Sequence, residues 1–244
     1  MDGRMARSAS PDPVPPSILV GITAATGIVD AVSFLALGHV FTANMTGNVV
    51  FLGFAIAGAK DLSVARSSTA LVAFMLGAAL GGRMSTRMSS RPVHHWVSSA
   101  FGVDAFFLFA AAVASLGLAG SYGGNGATLY AVTGLMAVGM GFRNATVRKL
   151  GMPDLTTTVL TQTITGLAAD SSLAGGSNPR WQRRCASVLA MFGGAIIGGL
   201  MLRHSVAVPL GVCGVASLAS ALAVFAHGAG RLRDLTASFQ RGEA

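Results

Sequence analysis

Long apolar stretches separated by short polar segments occupy almost the whole chain. Six of them carry at most one charged residue each over roughly the 20 residues that a helix needs to cross the hydrocarbon core of a bilayer. This pattern predicts six membrane-spanning helices, at residues 18–37, 67–84, 97–118, 127–142, 186–201 and 206–225.

Two further apolar stretches, at residues 46–57 and 156–169, are too short for a full crossing. Each follows the first span of its half of the chain. Polar segments that contain helix-breaking residues, Gly47 in one and Pro153 in the other, precede or begin them. We therefore predict that both stretches form broken or re-entrant helices.

The two halves of the chain also repeat each other's sequence. Gly-Ile-Val-Asp-Ala at 27–31 returns as Gly-Phe-Arg-Asn-Ala at 141–145, and the glycine-rich run at 77–82 returns at 194–199. Many transporters build a central site from duplicated units of this kind. The predicted fold is an all-α polytopic membrane protein of two repeats. The predicted units are a disordered cytoplasmic N-terminus (1–16), repeat 1 (17–120), repeat 2 (121–229) and a cytoplasmic tail (230–244).

The composition agrees with lipid as the main solvent. The 244 residues are 52% hydrophobic and only 11% charged, whereas about 25% charged residues is usual in a soluble domain. A net charge of +8 would suggest nucleic acid as the partner of a soluble protein, but here the arginines lie at the ends of apolar stretches. The two cysteines, Cys185 and Cys213, lack the spacing of a metal site or a disulfide framework. We expect no nucleic acid, cofactor or metal.

The basic residues predict the orientation in the membrane. If the six long stretches cross and the two short ones do not, all 17 lysines and arginines except Lys60, Arg66 and Arg203 fall on one side. Because basic residues concentrate on the cytoplasmic side, both termini are predicted to be cytoplasmic. Three crossings per half then place the two repeats in opposite orientations, as an inverted pair.

Neutral polar side chains cluster around the two short stretches. Irregular backbone at membrane depth must be buried in protein or line a cavity, and the start of each short helix offers free N–H groups and a positive dipole end. Such a site suits an anion or a polar solute, although the same side chains could simply cap the broken helices. The predicted binding residues of this kind are Asn44, Thr46, Asn48, Asn144, Thr158 and Thr161.

Charged residues inside the predicted spans are the other candidates. Asp30 lies deep in the first span, where an acid usually faces the bundle interior or water, and its repeat partner is the neutral Asn144. If transport is proton-linked, the predicted coupling carboxyls are Asp30 and Asp104, the latter in the third span. Structural hydrogen bonding is the alternative role for both residues. We expect Arg143 to extend to the membrane interface, with pairing to Asp30 or contact with an anionic solute as alternatives.

The motifs resemble those of the YoaK family, bacterial integral membrane proteins known mainly as a domain of unknown function. The resemblance covers the chain after Pro16. It rests on the motifs at 27–31 and 141–145, on Phe-Thr-Ala-Asn-Met-Thr-Gly-Asn at 41–48 and on Thr-Thr-Val-Leu-Thr at 157–161. It implies a multi-pass protein of the bacterial inner membrane and supplies no substrate.

The function expected from these residues is transport of a small polar solute or ion, either with or without coupling to protons. A passive channel of the same architecture and a non-transporting scaffold or assembly partner are the alternatives. No enzyme is expected, because neither a nucleophile with its base nor a metal set is visible. The partners expected are the lipid bilayer and an unidentified solute, and formation of a homo-oligomer stays open.

Overall fold

The computed structural model describes residues 14–118, 126–150 and 160–240. These residues form eight α-helices, one 3₁₀ turn (Ser172–Ala174) and no β-strand, so the predicted all-α class is confirmed. The helices are α1 (Pro16–Ala36), α2 (Met45–Ile56), α3 (Val64–Arg87), α4 (Val93–Ser115), α5 (Gly126–Leu150), α6 (Leu160–Ala169), α7 (Trp181–Met201) and α8 (Ala207–Gln240).

Five helices of the described chain are long and apolar enough to cross a membrane. They are α1, α3, α4, α7 and the part of α8 at Ala207–Gly230. The sixth predicted span corresponds to α5, which has 25 residues but falls outside this group. Arg143 explains the difference, because every 18-residue stretch of α5 contains it.

The two short helices stand where the sequence predicted them. α2 has 12 residues and α6 has 10, and each follows the first long helix of its half. Residues 156–159 of the second predicted stretch lie outside the described chain. α8 continues through Gln240, into the segment that was predicted to be a tail.

Local sequence signals account for where α1 begins and ends. Pro16 occupies its first turn, where a proline costs no hydrogen bond and has the φ angle of a helix. After Ala36 the chain turns through Gly38 and His39, whose φ angles are +86° and +59°. This left-handed turn ends the helix, and the segment 39–44 that follows buries Val40 and Ala43 in the core.

The surface of the bundle is apolar, as expected for helices in contact with lipid. Large apolar side chains are exposed on the outer faces of the long helices, among them Met75, Leu76, Phe106, Val113, Leu189, Phe192, Val215 and Leu222. Several charged side chains are buried instead, including those of Asp30, Asp104 and Arg143. This distribution is the reverse of a soluble protein, in which charged residues are almost never fully buried unless paired.

The long helices pack in a pattern that stays the same when the two halves are exchanged. α1 packs on α7 of the second half, and α5, the counterpart of α1, packs on α3, the counterpart of α7. α4 and its counterpart α8 pack on each other, and each also contacts the first helix of the opposite half. The short helices α2 and α6 lie against α3 and α7.

Glycines allow the backbones of these helix pairs to touch. A Cβ atom on Gly194 of α7 would overlap the backbone carbonyl of Ala24 on α1, and one on Gly77 of α3 would overlap that of Val138 on α5. From the opposite helices, Gly27 faces the carbonyl of Met191, and Gly141 that of Phe74. The two interfaces therefore use glycines at equivalent places in the repeat, as small-xxx-small contacts do in membranes.

We expect Gly194→Ala to destabilise the protein by about 1–3 kcal/mol, because the added methyl group meets backbone that cannot move aside. Gly193→Ala is the matched control, since a Cβ at this neighbouring position of α7 meets nothing within 4 Å. The midpoint of thermal unfolding in detergent should fall for the first variant and not for the second. Equal midpoints would show that the α1–α7 interface is not close-packed.

Candidate functional site

An ion pair lies at the centre of the helix bundle. Arg143 on α5 is 1% exposed, and its Nη1 donates to Oδ2 of Asp104 on α4 at 3.0 Å. The same carboxylate oxygen accepts a hydrogen bond of 2.7 Å from the hydroxyl of Ser217 on α8. Nη2 of Arg143 donates to Oγ1 of Thr26 on α1, also at 2.7 Å. One buried network thus joins four helices.

The position of Arg143 differs from the expectation that it would extend to the membrane interface. That expectation placed the end of the span at Phe142, whereas α5 continues to Leu150 and carries Arg143 inside the bundle. An arginine at this depth needs a counter-charge, and Asp104 supplies it from the neighbouring helix. For Asp104 the structure shows the alternative named above, structural hydrogen bonding, since its carboxylate pairs with Arg143 and accepts from Ser217.

Asp30 lies on α1, one helical turn beyond Thr26, and is 6% exposed. Its Oδ1 is buried and has no hydrogen-bond partner in the described part of the chain. The backbone N–H of Ala43 interacts with its carboxyl group, and the positive charge of Arg143 also acts on it. The Asp30 side chain is therefore a buried acid with hydrogen-bonding capacity left over, which is costly in a low-dielectric interior unless a ligand or proton uses it.

A polar cavity of about 270 Å³ opens beside Asp30. Its walls come from α1, from the starts of α2 and α6, and from α7. Four of the predicted binding residues line it: Asp30, Asn44, Thr46 and Thr161. The other lining residues are Thr26, Ala43, Gly47, Leu160, Ile164 and Met191. The fold thus brings together residues of both halves that are far apart in sequence.

Two other predicted site residues, Asn144 and Asn48, do not line this cavity. Asn144 is partly buried on α5, and Thr158 lies outside the described chain. Asn48 is fully buried, and its side chain bridges the loop before α2: its Oδ1 accepts from the N–H of Phe41 at 2.8 Å, and its Nδ2 donates to the carbonyl of Phe41 at 2.5 Å. Asn48 therefore holds the cavity-lining loop in place.

The loop before α2 is also held by aromatic contacts. The rings of Phe34, Phe41 and Phe51 pack in a cluster with centroids 5.3 to 5.9 Å apart, and that of His39 meets Phe34 edge-on at 5.1 Å. Phe41 also lies where a Cβ on Gly47 would stand. These contacts fix the start of α2 against the end of α1, and with it the position of Asn44 and Thr46.

An equivalent anchor holds α6. Arg184 on α7 donates through Nη1 to the backbone carbonyl of Gly166 and to Oδ2 of Asp170, both at 2.7 Å. The guanidinium group occupies the space that a side chain on Gly166 would fill. α6 is thereby tied to α7, and its first described residues, Leu160 and Thr161, face the cavity.

Sequence reasoning missed Thr26 and Met191 as lining residues. Thr26 precedes Asp30 by four residues in a helix, so both fall on one face, and this spacing was a usable signal. Met191 carries no chemical signal and comes to the cavity only because Gly27 and Gly194 let α7 approach α1 closely. Among residues 14–118, 126–150 and 160–230, whose side chains the structure describes, no three His, Cys, Asp or Glu side chains gather as a metal site.

The fold and this site define a multi-pass α-helical membrane protein with a polar cavity beside a buried ion-pair network. The chain belongs to the family described as "Protein of unknown function (DUF1275)", whose model matches residues 18–224. It is 37% identical over 146 residues to the UPF0700 transmembrane protein YoaK of Bacillus subtilis (strain 168). That match covers 60% of this chain and 62% of the relative, and it confirms the resemblance to the YoaK family. No solved structure matches the chain.

We expect Arg143→Met to destabilise the protein by about 3–5 kcal/mol, because it leaves the Asp104 carboxylate buried without its counter-charge. The double variant with Asp104→Leu should recover most of this loss, since neither charge then remains buried. Arg148→Met is the matched control, because Arg148 is exposed on the same helix. Unfolding midpoints in detergent give the comparison, and a double variant no more stable than Arg143→Met would contradict the assignment.

Proposed function

We propose that this protein transports a small polar solute or ion across the bacterial inner membrane through the cavity beside Asp30. The observation that carries the proposal is the meeting of a buried, incompletely bonded acid with the starts of two short helices from opposite halves of the chain. In transporters built from repeats, binding sites form at the repeat interface from discontinuous helices. We propose transport rather than catalysis.

The helix packing supports an inverted repeat. An inverted arrangement requires three crossings per half, and therefore requires α5 to cross although it carries Arg143. The charge that weakens its apolar character is neutralised inside the bundle by Asp104, so that lipid does not meet it. The exchange of partners between α1–α7 and α3–α5 is the pattern expected when a two-fold axis relates the two halves, and three crossings per half would place that axis in the membrane plane.

Asp30 is the coupling carboxyl in this proposal. The charged group that acts on it is Arg143 from α5, and Asp104 from α4 and Cys213 from α8 lie next to Arg143. Arg143 and Asp104 are bonded to each other, and the thiol of Cys213 donates to the carbonyl of Ala25 at 3.5 Å. Asp30 is left as the group whose proton can exchange with the cavity, and we therefore assign coupling to Asp30 rather than to Asp104.

The proposed topology predicts the accessibility of single cysteines in a variant whose native cysteines are replaced by alanine. Ser89→Cys and Ser177→Cys, in the exposed turns after α3 and before α7, should react only with reagent that reaches the cytoplasm. His204→Cys, after α7, should react from outside. Ser177 is the decisive position, because labelling of it from outside together with His204 from inside would mean that α5 does not cross.

Reconstituted protein should move solute. Liposomes loaded with a pH-sensitive dye receive labelled proteinogenic amino acids, urea or NaCl in separate runs, with and without a pH gradient. The flux is the uptake of the labelled solute, and the dye reports the accompanying movement of protons. Asp30→Asn should abolish the dependence of flux on the gradient, whereas Asp61→Asn, in an exposed turn, should leave it unchanged. Thr161→Val should reduce flux more than Thr165→Val, because of the two only Thr161 lines the cavity.

Each alternative has its own outcome in this assay. Gradient-dependent flux through Asp30→Asn equal to that of the unmodified protein would remove the coupling role. Flux that never responds to a pH gradient and does not saturate would indicate a passive channel. Correctly folded protein that passes none of the solutes, with or without Thr161→Val, would favour a scaffold.

A further inference from the structure

We propose that the cavity binds a small zwitterion, a solute that carries an ammonium group beside a carboxylate, as a free amino acid does. This inference rests on the proposed function and narrows it to a substrate class. It follows from two opposite electrostatic features that face the same cavity: the Asp30 carboxylate, and the N-terminal end of α2 together with the hydroxyl of Thr161 on α6.

Asp30 provides the place for the positive group. It is 6% exposed, it lines the cavity, and its Oδ1 accepts no hydrogen bond from the described residues. The adjacent Arg143 does not fill this role, because its guanidinium is bonded to Asp104 and Thr26. An ammonium group of a solute would give the free oxygen a charged donor, and such hydrogen bonds are about twice as strong as neutral ones.

The start of α2 and the first described turn of α6 provide the place for the negative group. The first N–H groups of a helix have no partner within it, and the side chain of Asn44 makes no capping bond at the start of α2. Asn44, Thr46 and Gly47 line the cavity from this end, and Leu160 and Thr161 line it from the first described turn of α6. A carboxylate placed there would meet the backbone donors at the start of α2, the positive end of the α2 dipole and the hydroxyls of Thr46 and Thr161.

The charges favour a solute with no net charge. The N-terminal end of α2 is equivalent to about +0.5 elementary charge, opposite in sign to an ionised Asp30. The Arg143–Asp104 pair adds no net charge. A lone cation or anion would bring a net charge into this low-dielectric site, whereas a zwitterion matches both features and adds no net charge.

The size of the cavity limits the solute. Pockets for drug-sized ligands usually have volumes of about 300–1,000 Å³, and this cavity, at about 270 Å³, lies below that range. Its walls include the apolar side chains of Leu160, Ile164 and Met191 beside the polar groups. A small amino acid with a short side chain fits these dimensions better than a peptide or a sugar.

The test compares three charge forms of one molecule on the purified full-length protein. Alanine is the zwitterion, alaninamide keeps only the ammonium group, and N-acetylalanine keeps only the carboxylate. Glycine and serine extend the panel. Ligands that bind the folded state raise the midpoint of thermal unfolding. Alanine or another zwitterion of the panel should raise it, and the corresponding single-charge analogues should bind at least about tenfold more weakly, because each loses one charged hydrogen-bonding group.

Asp30→Asn separates the proposal from its rivals. For a zwitterion, the variant should bind about tenfold or more weakly, because the ammonium group loses its carboxylate, while Asp61→Asn should bind normally. If N-acetylalanine binds as well as alanine and the variant keeps that binding, the solute is an anion that binds when Asp30 is neutral. Binding of alaninamide alone identifies a cation site. Either result overturns the zwitterion and leaves transport intact.

A panel in which nothing binds also overturns this inference. The liposome assay then decides whether the proposed function fails with it. Flux of urea or NaCl without any binding of amino acids would keep the transporter and exclude the zwitterion. No flux of any solute would remove both.

Discussion

The buried pair of Arg143 and Asp104 is the interaction on which the arrangement of this bundle depends. Neither charge is tolerable alone in a low-dielectric interior, and together with Ser217 and Thr26 they join α1, α4, α5 and α8. The pair makes α5 compatible with a lipid environment despite its arginine. Arg143 is the one buried cation near Asp30 among the described residues, and its charge is already neutralised by Asp104. Asp30 is therefore left to face the cavity.

Close backbone packing is the second constraint. Lipid gives no hydrophobic force that drives helices together. Contact between them therefore relies on dispersion attraction, which requires the helices to approach each other closely. Gly27 and Gly194 bring α7 against α1, and Gly77 and Gly141 bring α5 against α3. Because these glycines stand at equivalent places in both halves, each copy of the repeat supplies one side of each interface. The cavity exists only because the halves interlock in this way.

Much of the fold could be predicted from the sequence, because it depends on the length and apolarity of continuous segments. The short helices α2 and α6 and the spans of α1, α3, α4, α7 and α8 follow directly from the apolar pattern. The partners of buried polar groups could not be predicted in this way. Asp104 meets Arg143 across 39 positions and Ser217 across 113, and helix crossing rather than local spacing decides such contacts.

The same limit explains the partial prediction of the site. Asn44, Thr46 and Thr161 were recognisable because polar residues at the start of a short apolar helix must have a reason to be there. Asn48 has the same signature in the sequence, yet its amide bonds both backbone groups of Phe41. Composition cannot separate these roles, because a side chain that builds the wall and one that faces the solute have the same donors and acceptors.

The asymmetry between the two copies has a physical rationale. At the duplicated motif the first copy has Val29 and Asp30 where the second has Arg143 and Asn144. A second acid in place of Asn144 would bring another buried negative charge close to Arg143, which Asp104 already neutralises. A symmetric scaffold with one acid therefore gives a single polar site with two unlike ends, which a fully symmetric duplicate could not provide.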